Sequence, residues 1–435
     1  MRFPKLSAGI FLCACLLVLA GGASAAKGPV SFKLASIKAT GSKRYTPDQI
    51  TAASGLTIGQ TVTEDDFKEA VRHLGETGAF SDISYRYKYD DQGATLEFDL
   101  VDNSQLVPAR FDNFVWFSDQ ELAARFRERV PLFLDDELPV NGTLADQVSD
   151  ALQAMLIEHH VEGRADYVRS ADQDGPVTAI VYTATGPHIV IRKVDFAGAE
   201  PAELPALQET ARKLEGVDYF RSTVHVHAEK DFRPVYLRLG YLKAQFADSQ
   251  PKVVQDTPQE TDVDVTIQIT PGRQYNFMSA SWSGNKIFSA DKLQPLLHLQ
   301  PGKPANAVEL DQDLEEVQNL YGSRGYMAAT VRPTPQFDDE HSTVAYQLHV
   351  QEGEVYKMGE LEVRGVDRRA TDRLSLAWKL RDGDVYDSSY PKRFLQDAAA
   401  TILNLNQWDT TIHETRDDKT KTVDVSLRFD PRPLR

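Results

Sequence analysis

The stretch 319–331 reads NLYGSRGYMAATV. A helix-like run stops at a glycine, Arg324-Gly325-Tyr326 follows, and the chain then turns apolar and extended. On these residues alone three readings are open: a phosphate-cradling loop, an Arg-Gly element of the RNA-binding kind, or a joint between a helix and a strand. The choice depends on whether the stretch is unique, and it is not. Helix-like runs stop in the same way at LGETGAFSDI (74–83), IEHHVEGRADYV (157–168), LRLGYLKAQF (237–246) and LNLNQWDTTI (403–412). Gly78, Gly163, Gly240, Gly325 and Asn406 recur about 80 residues apart. Gly and Asn tolerate the left-handed conformation that ends helices. A hairpin pattern follows each stop, such as ISYRYKYDDQGATLEFDLVD (83–102), with turn residues between two alternating runs.

Working outward, the rest of the chain repeats as well. Leu34-x-x-Ile37-x-Ala39-x-Gly41 has the same offsets as Ile191, Val194, Phe196, Gly198. Phe277, Ala280, Trp282, Gly284 and Met358, Leu361, Val363, Gly365 match too, and Phe111, Phe114, Trp116 with Ser118 is a weaker copy. The spacing predicts a strand with one buried face, ended by a turn at the glycine. Short helices follow, closed by Leu56-Thr-Ile-Gly59, Leu299-Gln-Pro-Gly302 and Leu380-Arg-Asp-Gly383. Leu132-Phe-Leu-Asp135 is a looser copy, and Leu214-Glu-Gly216 departs further. Thr46 before Pro47, Ser289 and Thr371 are the expected N-caps of these helices. Longer amphipathic helices come next, with Phe67, Val71 and Leu74 on one face. Leu144, Val148, Leu152 and Met155, and then Leu310, Leu314, Val317 and Tyr321, repeat that face. Gly186-x-x-Ile189-x-Ile191, Gly272-x-x-Tyr275-x-Phe277 and Gly353-x-x-Tyr356-x-Met358 mark the joints between units.

The expected fold class is α+β. Five tandem β-α-α-β-β units are predicted at 30–103, 104–187, 188–273, 274–353 and 354–435. Each would be a three-stranded sheet covered on one face by two helices. Short joints predict that neighbours dock into an elongated array.

Composition narrows the setting. Residues 1–25 join basic Arg2 and Lys5 to an apolar run and an Ala23-Ser24-Ala25 cleavage pattern, the marks of a secretory signal peptide. An uncleaved anchor is the rival reading, as is a lipoprotein acylated at Cys15 within Leu12-Cys13-Ala14-Cys15. Both cysteines of the chain lie in this segment, so a processed chain has no disulfide and no thiolate chemistry. Removing the segment takes the formal charge from −16 to −18. An acidic chain repels polyanions, so nucleic acid is not an expected partner. No later segment is apolar and long enough for a transmembrane helix.

The repeat resembles the POTRA (polypeptide-transport-associated) domain. The residues carrying the resemblance are the Gly-x-x-Tyr entry, the first-strand pattern ending in glycine, Leu-x-x-Gly between helices, and Gly-Tyr or Gly-x-Phe before the second strand. Five such units in tandem resemble the periplasmic arm of the outer-membrane barrel-assembly insertase family. After the fifth unit, which ends at VDVSLRFDPRPLR, nothing remains for that family's barrel. The resemblance implies a periplasmic protein that is a scaffold or chaperone-like adaptor in outer-membrane protein assembly. The implied partners are assembly-machinery subunits or extended clients, and peripheral association with the outer membrane would go through a separate barrel protein. A detached arm or spacer docking on that barrel is the alternative, and an enzyme is a third.

The implied binding route is β-augmentation, the pairing of an extended segment with an exposed sheet edge. The expected edges are 242–248 and 328–335, with Leu242, Ala244, Phe246, Ala328, Thr330 and Arg332 as protein-binding residues. Pro333 and Pro335 would blunt the second of these, and Lys243 and Pro251 the first.

Other clusters have plainer explanations. His225 and His227 fall in a helix, where i and i+2 diverge, so they do not form a metal pair. His159-His160 ends a helix, where imidazole suits the dipole. Asp135-Asp136-Glu137 and Asp338-Asp339-Glu340 read as solvated turns without calcium-loop spacing. Trp116, Trp282 and Trp408 read as core residues. No catalytic motif appears, and no enzyme activity, metal or cofactor is expected.

Overall fold

The structure is a computed structural model that describes residues 31–171, 175–257 and 259–432. The signal-peptide and Cys15 readings lie outside the described residues. Contacts divide the chain into two bodies. One runs to Phe111 and resumes at Phe117–Thr185; the other comprises Asp112–Trp116 and the chain from Gly186 onwards.

The first body holds two four-stranded sheets. In the first sheet, β1 (Phe32–Thr40), β2 (Thr61–Val62), β3 (Phe80–Asp90) and β4 (Gly93–Asp102) take the order β2-β1-β4-β3. β4 is central, parallel to β1 and antiparallel to β3. Its alternation buries Ala94, Leu96, Phe98 and Leu100 beneath α1 (Pro47–Ala53) and α2 (Glu64–Glu76). Those helices add Ile50, Phe67, Ala70 and Leu74 to the core. The second sheet contains β5 (Leu106–Phe111), β6 (Glu137–Pro139), β7 (Arg164–Ala171) and β8 (Val177–Thr185), in the order β6-β5-β8-β7. Its helices are α3 (Asp119–Arg129) and α4 (Leu144–Glu158).

The second body holds three sheets. The first contains β9 (Ile189–Ala197), β10 (Gln245–Phe246), β11 (Gln250–Asp256) and central β12 (Thr261–Thr270), with α5 (Leu204–Ala211), α6 (Arg221–His227) and α7 (Arg233–Arg238). A π-helical turn at Ala228–Phe232 joins α6 to α7. The next sheet is β13 (Asn276–Ser283), β14 (Thr330–Asp338) and β15 (Thr343–Gln351) in the order β13-β15-β14. It carries α8 (Ala290–Leu293) and α9 (Ala307–Gly322). The last is β16 (Lys357–Arg364), β17 (Trp408–Asp417) and β18 (Thr422–Pro431) in the order β16-β18-β17, with α10 (Arg368–Ala377), α11 (Tyr390–Phe394) and α12 (Ala400–Ile402). The molecule is thus a mixed α+β chain of small sheets and helices.

The three-residue step in the first-strand pattern breaks the period of two that a strand requires. A bulge resolves it. Leu34 pairs with Ala94 and Ile37 with Leu96, with a register shift between Leu34 and Ser36. Phe277 and Ala280 pair with Val344 and Tyr346 across the same shift, and Met358 and Leu361 with Val423 and Val425. One extra residue per strand therefore returns both apolar side chains to the helix-covered face. The glycine ending the pattern is steric in origin. A Cβ on Gly41 would lie 2.3 Å from the Leu100 carbonyl oxygen, and on Gly284 2.1 Å from that of Val350.

Four local expectations are corrected. In the second sheet the strand ends at Phe111, and Phe114 and Trp116 lie beyond it. The matching offsets there are Leu106, Ala109 and Phe111, because Phe111 pairs with Tyr182 as Ala39 pairs with Phe98. Trp116 packs instead on the core containing Ile191 and Phe232. Thr371 lies inside α10, whose N-cap is Asp367, accepting from the Ala370 amide at 2.8 Å. Left-handed stops occur at Gly78, Gly240 and Gly325, with φ of +76°, +82° and +86°, but not at Gly163 or Asn406. His160 takes that conformation after α4, with φ of 55°.

Candidate interaction edges and the joints that carry them

Each sheet has one outer strand formed just after its longer helices. β3 and β17 are the longest, at eleven and ten residues, and neither contains proline. Among the described residues each pairs on one side only, with β4 and β18. β14 contains Pro333 and Pro335, opposite Leu348 and Tyr346, and so lacks two amide donors. The strand of the third sheet is broken: β10 spans two residues, and pairing with β12 resumes at Gln250.

The six expected protein-binding residues divide accordingly. Leu242 precedes β10 and packs on the core containing Tyr275 and Phe277. Ala244 is fully buried in the core of the third sheet. Phe246 packs on that core, with its ring 5.6 Å from Tyr236. Ala328 lies before β14, against the core containing Tyr356 and Trp378. Thr330 and Arg332 are exposed residues of β14. The apolar members of the set therefore pack inwards, and the rim itself is carried by neighbouring residues.

Two bonds of the joint repeat within the second body. The Gly240 carbonyl accepts from the Tyr275 amide at 2.8 Å, and the Gly325 carbonyl accepts from the Tyr356 amide at 2.8 Å. The Tyr275 hydroxyl donates to Asp339, and the Tyr356 hydroxyl donates to Asp418 at 2.5 Å. Lys243 Nζ reaches Asp339 at 3.0 Å and sits over the Tyr275 and Phe337 rings at 5.0 and 4.2 Å. The Tyr275 hydroxyl and the Lys243 ammonium hold the Asp339 carboxyl below the usual carboxylate range. The turn at Asp338-Asp339-Glu340 is therefore anchored rather than merely solvated. Arg416 does related work at the next joint, donating to the Met327 carbonyl at 3.3 Å over the Tyr356 ring.

Two structural carboxylates escaped the sequence reading. Asp102 accepts from the Ser42 hydroxyl at 2.7 Å and the Lys43 amide at 2.8 Å. Glu352 accepts from the Lys286 and Ile287 amides, both at 2.7 Å, and the Tyr321 hydroxyl at 2.9 Å. Each follows the third apolar residue of its last strand by the same offset, Phe98 to Asp102 and Leu348 to Glu352. Aligning the repeats at that point was the available signal. Among the described residues no group of three or more His, Cys, Asp or Glu side chains could hold a metal ion. His227 instead pairs with Asp231 within its own helical segment at 2.6 Å. No helix among the described residues is long and apolar enough to cross a membrane.

The POTRA family, described as surface antigen variable number repeat, matches residues 32–102 and 275–353. These two segments are POTRA domains. Over 332 residues it is 21% identical to the outer membrane protein assembly factor BamA of Neisseria meningitidis serogroup B, covering 72% of this chain and 40% of that protein. The crystal structure of Haemophilus influenzae BamA POTRA3-5 is 23% identical, covering 57% of this chain and 99% of that one, with a TM-score of 0.45. The single POTRA4 domain of the same protein is 32% identical, covering 19% of this chain and 95% of that one, with a TM-score of 0.19. The chain spans 23% to 52% of the length of its curated relatives. In POTRA terms, the two matched segments contain the open edge β3 and the proline-blunted edge β14.

Proposed function

We infer that this POTRA chain is a periplasmic scaffold or chaperone-like adaptor in outer-membrane protein assembly. It binds assembly subunits or extended clients by strand addition, and it performs no catalysis. The observation carrying this reading is the pair of long, proline-free outer strands, β3 and β17, each paired on one side only among the described residues. A strand rim with unpaired amides and carbonyls is a template for an incoming extended segment. The names of the curated relatives support the setting, since each is an outer membrane protein assembly factor. We assign the POTRA units to 30–103, 104–187, 188–273, 274–353 and 354–435, with Thr330 and Arg332 as rim residues of the fourth.

Photo-crosslinkers placed in cells along β3, β14 and β17 test the reading. Capture of outer-membrane clients or assembly subunits by strand residues, and not by the helix faces, is expected. Absence of any such adduct would overturn it. The repeated joints Gly240–Tyr275 and Gly325–Tyr356 favour a second reading, a spacer arm docking on a separate barrel protein. Replacing units with unrelated domains of equal length, with function retained, would select the spacer.

A further inference from the structure

Asn141-Gly142 is the one Asn-Gly pair in the chain. It follows β6 and precedes Thr143, the N-cap of α4, and both of its residues are exposed. Packing within the first body demands the glycine. Gly142 has φ of +105°, and a Cβ there would lie 2.4 Å from the Thr77 carbonyl oxygen, just after α2. The contact is mutual, since a Cβ on Gly78 would lie 2.0 Å from the Asn141 carbonyl oxygen. The backbone is pinned on either side of the pair. The Val140 carbonyl accepts from Arg169 Nε at 3.0 Å, and the Thr143 amide donates to the Glu76 carbonyl at 2.8 Å.

The reacting groups of the pair are themselves uncommitted. Among the described residues neither the Asn141 side chain nor the Gly142 amide has a hydrogen-bond partner. Two other exposed-loop asparagines are held. Asn103 donates to the Gly78 carbonyl at 2.8 Å and accepts from the Gln105 amide at 2.9 Å. Asn285 donates to the Phe288 carbonyl at 2.9 Å, and the amide that follows it, of Lys286, donates to Glu352 at 2.7 Å. An asparagine side chain carries an electrophilic carbon, and the amide nitrogen of the next residue is a nucleophile tethered beside it. Where neither group is bonded elsewhere, and the next residue has no side chain to block the approach, ring closure is open.

We propose that Asn141 is a site of spontaneous covalent modification, through a cyclic imide with Gly142, and that the product loosens this joint. The Gly142 nitrogen forms a bond to Asn141 Cγ. The Cγ–Nδ2 bond breaks, and Nδ2 leaves as ammonia with the Gly142 amide proton. Water then opens the imide. Attack at Cγ leaves an aspartate. Attack at the main-chain carbonyl carbon leaves an isoaspartate, whose backbone runs through Cβ and Cγ and is longer by one methylene. In the isoaspartate the carbonyl that lies against Gly78 becomes a carboxylate. It brings a second oxygen and a charge to a contact that admits no Cβ on Gly78. The added methylene lies between two anchors, at Val140 and Thr143, that fit the shorter chain. The reaction needs neither a partner nor strand addition, so the inference stands apart from the proposed function.

The test ages the full chain in mildly alkaline buffer, which favours the deprotonated amide nitrogen. Peptide mapping by mass spectrometry and labelling by an isoaspartyl methyltransferase measure the product, and hydrogen exchange reads the Thr143 amide. Conversion at Asn141 is expected to run at least about tenfold faster than at Asn103 or Asn285, whose groups must first break hydrogen bonds. Thr143 protection is expected to fall in step with it. Asn141→Gln keeps a side-chain amide but must close a larger ring, and it is expected to stop both changes. Conversion at Asn141 no faster than at Asn103 and Asn285 would overturn the site. Thr143 protection that survives conversion, or that falls equally in Asn141→Gln, would overturn the loosening.

Discussion

The carbonyl oxygen of Gly325 accepts from the amide of Tyr356 at 2.8 Å, so the left-handed glycine just after α9 also holds the entry to the first strand of the following sheet. Gly325 has φ of +86°, and a Cβ there would lie 2.9 Å from Val385 Cγ1 and 3.0 Å from the Tyr356 carbonyl oxygen. Gly325→Ala therefore meets both a left-handed backbone and a filled joint. The left-handed conformation alone costs about 1–2 kcal/mol, and the crowding adds to it. Denaturant unfolding followed at the buried Trp378 should show destabilisation of at least that size. An unchanged transition would remove the joint from the list of stabilising features.

Tyr275 and Lys243 meet the same carboxylate, that of Asp339. Tyr275→Phe and Lys243→Met should each loosen this joint, and their effects should be non-additive because they share a partner. A double-mutant cycle on thermal unfolding measures the coupling. Strict additivity would mean that the two contacts act independently.

Glu352 collects two backbone amides and the Tyr321 hydroxyl. Hydrogen bonds to a charged group contribute about 1.5–3 kcal/mol, and leaving donors unsatisfied adds to the loss. Glu352→Ala should destabilise the fourth sheet by about 3 kcal/mol, with Glu352→Gln intermediate because it keeps an acceptor. Hydrogen exchange at the Lys286 and Ile287 amides reads the loss locally. Slow exchange retained in Glu352→Ala would show that these amides have another source of protection.

His298 gives the fourth sheet a pH dependence. Its Nδ1 lies 2.6 Å from Asp313, and its amide donates to the same carboxylate at 2.7 Å. Asp313 is only 2% exposed. The hydrogen bond to Asp313, reinforced by its charge, raises the His298 pKa above the ordinary value. A raised folded-state pKa gives stability that is complete below the unfolded value of about 6.5 and is lost as pH rises through the folded value. Unfolding should therefore be easier at about pH 8 than at about pH 6. His298→Gln should lose that difference, and a pH profile unaffected by the substitution would refute the assignment.

The repeat, its strand and helix order and its glycine stops were legible because each is a local signal. An apolar pattern, a left-handed stop and a turn are written within about a dozen consecutive residues. Where one signal was carried by another residue type, as with His160 in place of Gly163, the local reading slipped. The second sheet slipped for a related reason. Phe114 and Trp116 have the right character for a strand, but Phe111 is the residue that pairs with Tyr182.

The candidate edges were only half legible. Prolines 333 and 335 announce a blunted rim in the sequence. The rim of β7 is not announced, because Gln153 and the Ala165 amide are joined only when α4 packs beside the strand. Leu242, Ala244 and Phe246 alternate like a strand, but packing turns them into two adjacent cores.

The sequence by itself determined the repeated α+β unit and the places where its helices stop, since propensity, periodicity and glycine conformation act over neighbouring residues. Only the tertiary structure decided why the first-strand pattern steps by three, which rims stay open and which carboxylates hold the turns. Those depend on pairings such as Leu34 with Ala94 and Glu352 with Lys286. Hydrogen-bond partners about 60 residues apart are set by docking, and neither residue carries that information alone.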